Sequence, residues 1–390
     1  MTSAGPTAAE SSARAHSWVA HLREGGTTPW LAWAGRPATE TGRTGPLPGA
    51  QQLELLRRIN VAAQLSAQSR GGNDGSSTRL ADRVLAAPAA GRGKADLPLV
   101  GATAPGFGPR PVDPESVSAH ELLRVASVVL ADDLVALGAD PVRTSWPRPW
   151  RRRFRLVGDP VLVGALREDL LARGRPEGGP RPFLVAVGAP LDDLLARTWT
   201  QRCFESGTKP WAEWLRFWRE RDQLPARADL VASVRRWNAR RPLVRIVTDL
   251  DQLPRQVGVR HLPDVRVPGA DQAELARRVA AVVGLKVPAP ERPALMRTLQ
   301  RRIPDHGVAP VGVPTREREW VASSAERMTR SITRAGYSVV GDLADLAPRT
   351  APSATTGTGA DDQQVLDLAI RMVVDPSWRG AGQTEGQVER

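Results

Sequence analysis

Four short apolar runs constrain this chain most: "FRLVG" (Phe154–Gly158), "FLVAVG" (Phe183–Gly188), "LVRIVTD" (Leu243–Asp249) and "YSVVGD" (Tyr337–Asp342). Each is rich in β-branched residues and bounded by a turn residue, as strands are. Helical patterns separate them, such as "PVLVGALREDLLARG", with Pro160 in its first turn. Continuous apolar strands alternating with helices belong to a parallel sheet covered on both faces. The expected fold class is α/β, with the sheet in residues 154–348 and a mainly helical module in residues 17–145 before it.

The remaining segments are read from composition. Residues 1–16 are polar and Ala/Ser-rich, a disordered tail by this pattern. "SAHELLRVASVVLADDLVALG" is a long helix, with Ser118 as N-cap and Gly138 past its end. Leu97–Gly101 is a single strand candidate. Residues 146–153, "WPRPWRRR", form a basic Pro/Trp junction, and residues 349–360 a low-complexity linker. In residues 361–378 the side chains Val365, Leu368, Met372 and Val373 share one helical face. That stripe is too short to be a stable helix alone. It must dock on the body or on a protein partner. Residues 379–390 are a second polar tail.

A Gly-Thr-x-Pro-Trp-x-x-Trp element occurs twice, in "LREGGTTPWLAW" and "CFESGTKPWAEW". At one constant offset Trp18 meets Trp199, Gly26 meets Gly207, Thr27 meets Thr208, Trp30 meets Trp211 and Trp33 meets Trp214. Looser likenesses follow. "LPGAQQLELLRRIN" resembles "LPARADLVASVRRWN", and "HELLRVASVVL" resembles "AELARRVAAVV". The pattern reads as an internal repeat and as helix-start architecture. Pro suits a first turn, an upstream Thr can cap the free amides, and Trp211, Trp214, Leu215 and Trp218 fall on one stripe. The competing reading is an aromatic stacking platform.

Several function classes lose support. The 390 residues are 41% hydrophobic and 25% charged, a globular composition. A single Cys, Cys203, allows no intramolecular disulfide, which points to a cytoplasmic setting. No run approaches the roughly 18 apolar residues of a membrane span, so no membrane insertion is expected. The five His show no metal-ligand spacing, and no metal or cofactor is expected. Net charge is +12, but only three of the 54 basic residues are Lys. Such Arg use is a mark of GC-rich coding, so only clustering of the charge is informative.

Residues 183–348 resemble the sulfotransferase-like proteins common in actinobacteria. The likeness lies in the ordered segments "APLDDLLARTWTQRCFESGTKPWAEWL", the helix ending in "RRWN", "VRIVTD", "AELARRVAAVVGL" and "AGYSVVGDLADLAP". The resemblance implies a strand, a Lys/Gly/Thr phosphate loop and a helix that together hold the 5′-phosphate of a sulfonate donor. The corresponding stretch is "FRLVGDPVLVGALRE", with Gly158, Asp159 and Gly164. It lacks Lys, Ser and Thr, and Asp159 stands where a phosphate belongs. It is read as a degenerate phosphate loop, and no catalytic residue is assigned.

One basic cluster remains: Arg148, Arg151, Arg152, Arg153 and Arg155, interleaved with Trp146, Trp150 and Phe154. Guanidinium groups beside aromatics suit a polyanion or nucleic acid. Alternatively the aromatics dock on the sheet. The expected function is a cytoplasmic binding or accessory protein, placed by association beside envelope or polysaccharide biosynthesis. The alternatives are a nucleic-acid-binding protein using residues 146–155 and an active transferase with an unrecognised donor loop.

Overall fold

The computed structural model describes residues 7–36, 46–70, 77–91, 95–102, 108–141, 146, 150–179, 182–236, 243–349 and 359–380. It is an α/β fold, mostly helical, with one small parallel sheet. The chain packs as two compact units: Met1–Gly138 with Arg278–Pro304 and Asp361–Arg390, and Ala139–Arg277 with Asp305–Ala360.

The first unit is helical. It contains α1 (Ala8–Arg23), α2 (Trp30–Ala34), α3 (Ala50–Arg70), α4 (Ser77–Ala86) and α5 (Ala119–Leu137). Of the Ala/Ser-rich stretch read as a tail through residue 16, residues 8–16 are instead the first half of α1, and residues 1–6 lie outside the described residues. Thr7 and Glu10 form a reciprocal capping box there, which composition alone does not register. Ser118 caps α5, as its spacing predicts, and Gly138 follows with φ of +77°. The strand candidate at Leu97–Gly101 reduces to one bridge, Leu99 with Val112.

The second unit carries the sheet. Strands β1 (Phe154–Gly158), β2 (Phe183–Val187), β3 (Val244–Val247) and β4 (Ser338–Val340) pair in that order, all parallel. Helices α6 (Pro160–Ala172), α7 (Leu191–Cys203), α8 (Trp211–Arg219), α9 (Leu230–Arg236) and α10 (Leu253–Val257) follow β1, β2 and β3, and α13 (Arg318–Ala335) precedes β4. On one face Leu156, Val185, Val187 and Val247 pack with Leu162, Val163 and Leu166 of α6 and Leu253 of α10. On the other, Leu184, Val244 and Ile246 are fully buried. Both faces of the central strands are therefore covered, which is why their sequences run apolar without alternation.

Helix α11 (Ala270–Lys286) has residues in both units, α12 (Arg292–Arg302) belongs to the first, and α14 (Asp362–Val374) is the last α-helix among the described residues, followed by a 3-10 turn at Pro376–Arg379. The apolar stripe of α14 is not open to a partner. Val365 and Leu368 are fully buried, and the helix packs against α5 and α3 of its own unit. The expectation of a protein partner through residues 361–378 is corrected accordingly: the chain itself covers that face.

Each unit shows the same indole arrangement. In the first, Trp18 donates to Thr28 O at 2.9 Å, Trp30 to Val100 O at 2.9 Å, and the two rings lie 5.2 Å apart. In the second, Trp199 donates to Lys209 O at 3.0 Å, Trp211 to Gly312 O at 2.8 Å, and the rings lie 5.5 Å apart. The expected Thr caps are absent from both. Pro29 and Pro210 themselves occupy the N-cap positions, with no side-chain cap bond. The carbonyl of the residue before each Pro accepts the indole N–H of Trp18 or Trp199. Further along the chain, Glu54 is fully buried and is gripped by Arg57 at 2.8 Å, and Glu274 is gripped by Arg277 at 2.7 Å. The two pairs sit in similar stretches, "GAQQLELLRR" and "GADQAELARR".

Candidate functional site

The strand–turn–helix from Phe154 to Ala172 is where a donor loop would sit, and it is built for internal contacts. Gly158 has φ of +101°, and a Cβ there would stand 2.0 Å from Val187 O. A glycine is needed for that close approach of β2, independently of any ligand. Asp159 follows as the N-cap of α6. Its Oδ1 accepts from the backbone N–H of Val161 at 3.1 Å and of Leu162 at 3.3 Å. Its Oδ2 pairs with the Arg197 guanidinium of α7. The carboxylate is 1% exposed. The amides and positive charge that would hold a phosphate are thus already occupied by a side chain of the same turn.

Gly164, the third residue singled out, sits in the middle of α6, and a Cβ added to it would meet nothing within 4 Å. It opens on a cavity of about 290 Å³ beside the edge strand β1. Arg155, Leu156, Val157 and Gly158 of β1, Pro160, Val163, Gly164 and Arg167 of α6, Gln201 and Glu205 at the end of α7, and Arg227, Ser233 and Arg236 near α9 are among its walls. Four guanidiniums face one carboxylate. Arg167 also bonds Glu177 at 2.8 Å and Leu156 O at 3.3 Å, and Arg227 bonds Glu205 at 2.7 Å.

Sequence reading found Arg155, Gly158 and Gly164 but missed Arg167, Arg227 and Arg236. They come from separate elements and are inconspicuous in so Arg-rich a chain. The one signal available was Gly164 itself. A glycine inside a Leu/Val helix costs about 1 kcal/mol and so calls for a packing or functional reason.

The basic junction is placed differently from its bland expectation. Trp146 is 88% and Trp150 80% exposed, so these indoles do not dock on the sheet; Phe154 alone is buried. Arg152 lies over the Phe183 ring at 4.4 Å and Arg175 over Phe154 at 5.5 Å. Burial, with the nearby charges of Arg151 and Arg152, pulls the Arg175 guanidinium below its ordinary value. Arg151 donates to Arg173 O at 3.2 Å. Arg153 and Arg155 are half-buried, and Arg148 lies outside the described residues.

Other chemistry-bearing groups are accounted for by structure. Burial raises the Cys203 thiol well above its ordinary value, which suppresses the thiolate. Asp342 caps a 3-10 turn through Ala344 N at 2.8 Å. His306 pairs with Asp271 at 2.8 Å, and His21 stacks on Trp33 at 4.4 Å between ring centres. Among the described residues no three His, Cys, Asp or Glu gather as a metal site, and no helix is long and apolar enough to cross a membrane. No family model, curated protein or solved structure matches the chain.

Proposed function

We propose that the chain is a binding or accessory protein whose second unit keeps a sulfotransferase-like layout without a working donor loop. The observation that carries this reading is Asp159. A buried carboxylate on the first amides of α6 leaves a donor phosphate neither free donors nor a favourable field. The reading carries a cytoplasmic setting, in keeping with a chain whose only Cys is a buried thiol. By association with the resemblance, it works beside envelope or polysaccharide enzymes. The test is a thermal shift with adenosine 3′,5′-bisphosphate, the product such donors leave. A specific ligand at 100 times its dissociation constant stabilises by about 2.7 kcal/mol. No shift beyond that of phenyl phosphate, an ester without the nucleoside, is expected. A larger, saturable shift makes the chain an active transferase with an unusual loop.

A second reading is favoured by one observation, the exposure of Trp146 and Trp150 beside Arg151–Arg153. This is the composition of a nucleic-acid surface, in which guanidiniums take phosphates and indoles stack on bases. Each Arg that contacts a phosphate contributes nearly one unit to the salt slope of DNA binding. If replacing Arg151, Arg152 and Arg153 by Ala leaves binding unchanged at every salt concentration, the second reading fails.

A further inference from the structure

We propose that the cavity beside β1 is a binding site for a small organic oxyanion, a phosphate or sulfate ester, held at its charged end by Arg155, Arg167, Arg227 and Arg236. It rests on the accessory-protein reading, and it names the ligand class for the unit that has lost its donor loop.

Charge is the first argument. Four guanidiniums against two carboxylates, Glu205 on the wall and Glu177 on Arg167, leave the walls cationic. Arg fits tetrahedral oxyanions through its planar fork of donors. Backbone direction is the second. Asp159 N bonds Val187 O of β2, while Phe154 N bonds Pro176 O on the opposite side. Donors alternate in a parallel ladder, so the Leu156 and Gly158 N–H groups turn away from β2, toward the open edge whose residues line the cavity. Backbone N–H groups beside guanidiniums are the donor set of an anion site. The third argument is the apolar wall. Pro160 and Val163 face the same space, which suits the carbon body of an ester better than a free ion. A volume of about 290 Å³ is at the small end of ligand pockets, which run from about 300 Å³ upward. Asp159 does not oppose the ligand, because its carboxylate is buried against α6 and Arg197.

Gly164 supplies the test. A Cβ at this position meets nothing within 4 Å and Gly164 lines the cavity, so the side chain of Gly164→Leu is directed at the proposed ligand space. Phenyl phosphate, phenyl sulfate, inorganic phosphate and inorganic sulfate are titrated into the full chain by calorimetry, in chloride of matched ionic strength. Saturable binding is expected, tighter for the esters than for the ions. Gly164→Leu should abolish it without lowering the melting temperature. Arg236→Ala should weaken it about tenfold, the effect of one charged hydrogen bond. Arg221→Ala, which removes a charge elsewhere in the unit, should have no such effect. The proposal is overturned if none of the four probes saturates, if Gly164→Leu binds like the parent, or if Arg221→Ala weakens binding as much as Arg236→Ala. Adenosine 3′,5′-bisphosphate is run alongside. If it binds about 100-fold tighter than phenyl phosphate (some 2.7 kcal/mol) and keeps that advantage in Gly164→Leu, the accessory reading falls, while the phenyl ester titrations still decide the cavity.

Discussion

Replacing Asp159 by Ala should destabilise the second unit by about 4 kcal/mol. Two losses add. The Val161 and Leu162 amides lose their cap, worth about 1 kcal/mol. The Arg197 side chain, 22% exposed, loses a partner that is only 1% exposed. Breaking a buried pair from one side costs about 3–5 kcal/mol. The lower end applies, because Arg197 retains Asp193 at 3.5 Å and some solvent. Asp159→Asn keeps a capping oxygen and loses only the charge, so its cost should fall near 2–3 kcal/mol by the same reasoning. The assay is urea unfolding, with hydrogen exchange on β1 and α6 peptides to assign the transition to this unit. If Asp159→Ala costs under about 1 kcal/mol, or Asn costs as much as Ala, the carboxylate is not the integral anion of this turn and the argument fails.

Three further outcomes follow from packing and charge. Leu368→Ala, at a fully buried site on α14, should cost about 2–5 kcal/mol, and deletion of residues 359–390 should lower the melting temperature sharply; an unchanged melt would mean that α14 does not dock on its own unit. Trp214→Ala, at a site 6% exposed and stacked on Trp211 at 5.6 Å, should cost about 3–5 kcal/mol, whereas a cost near zero would revive the open aromatic platform. Burial, then the charge of Asp193, raises the Asp192 carboxyl above its ordinary value near 3.8. A raised acid favours the fold fully below the unfolded value and loses that contribution as pH rises through the folded one. The stability of Asp192→Asn relative to the parent should therefore climb across that window just above pH 3.8; a flat difference would refute the assignment.

The sheet was legible in the sequence because its strands are buried on both faces, and continuous runs such as "FLVAV" have no other comfortable home. Helix ends were legible where one residue decides them, as at Ser118 and Pro160. Three features were not. The Thr7–Glu10 capping box sits in a stretch whose composition reads as tail. The indole donations of Trp18 and Trp199 select a backbone carbonyl, and every residue type offers one. The tail helix had a readable apolar face but an unreadable partner, because periodicity specifies that a face is covered and not by what. For the site, Asp159 could be placed at the helix start, but its link to Arg197 is tertiary. Likewise Arg167, Arg227 and Arg236 converge only once β1, α6 and α9 are packed.

The most direct measurement is a calorimetric titration of adenosine 3′,5′-bisphosphate into the unmodified chain and into Asp159→Gly, side by side. The account predicts that the unmodified chain binds it no tighter than phenyl phosphate, an ester without the nucleoside. The glycine variant should gain affinity, because the Val161 and Leu162 amides and the Arg197 charge are released. Sub-millimolar binding by the unmodified chain, with no gain in the glycine variant, would contradict it.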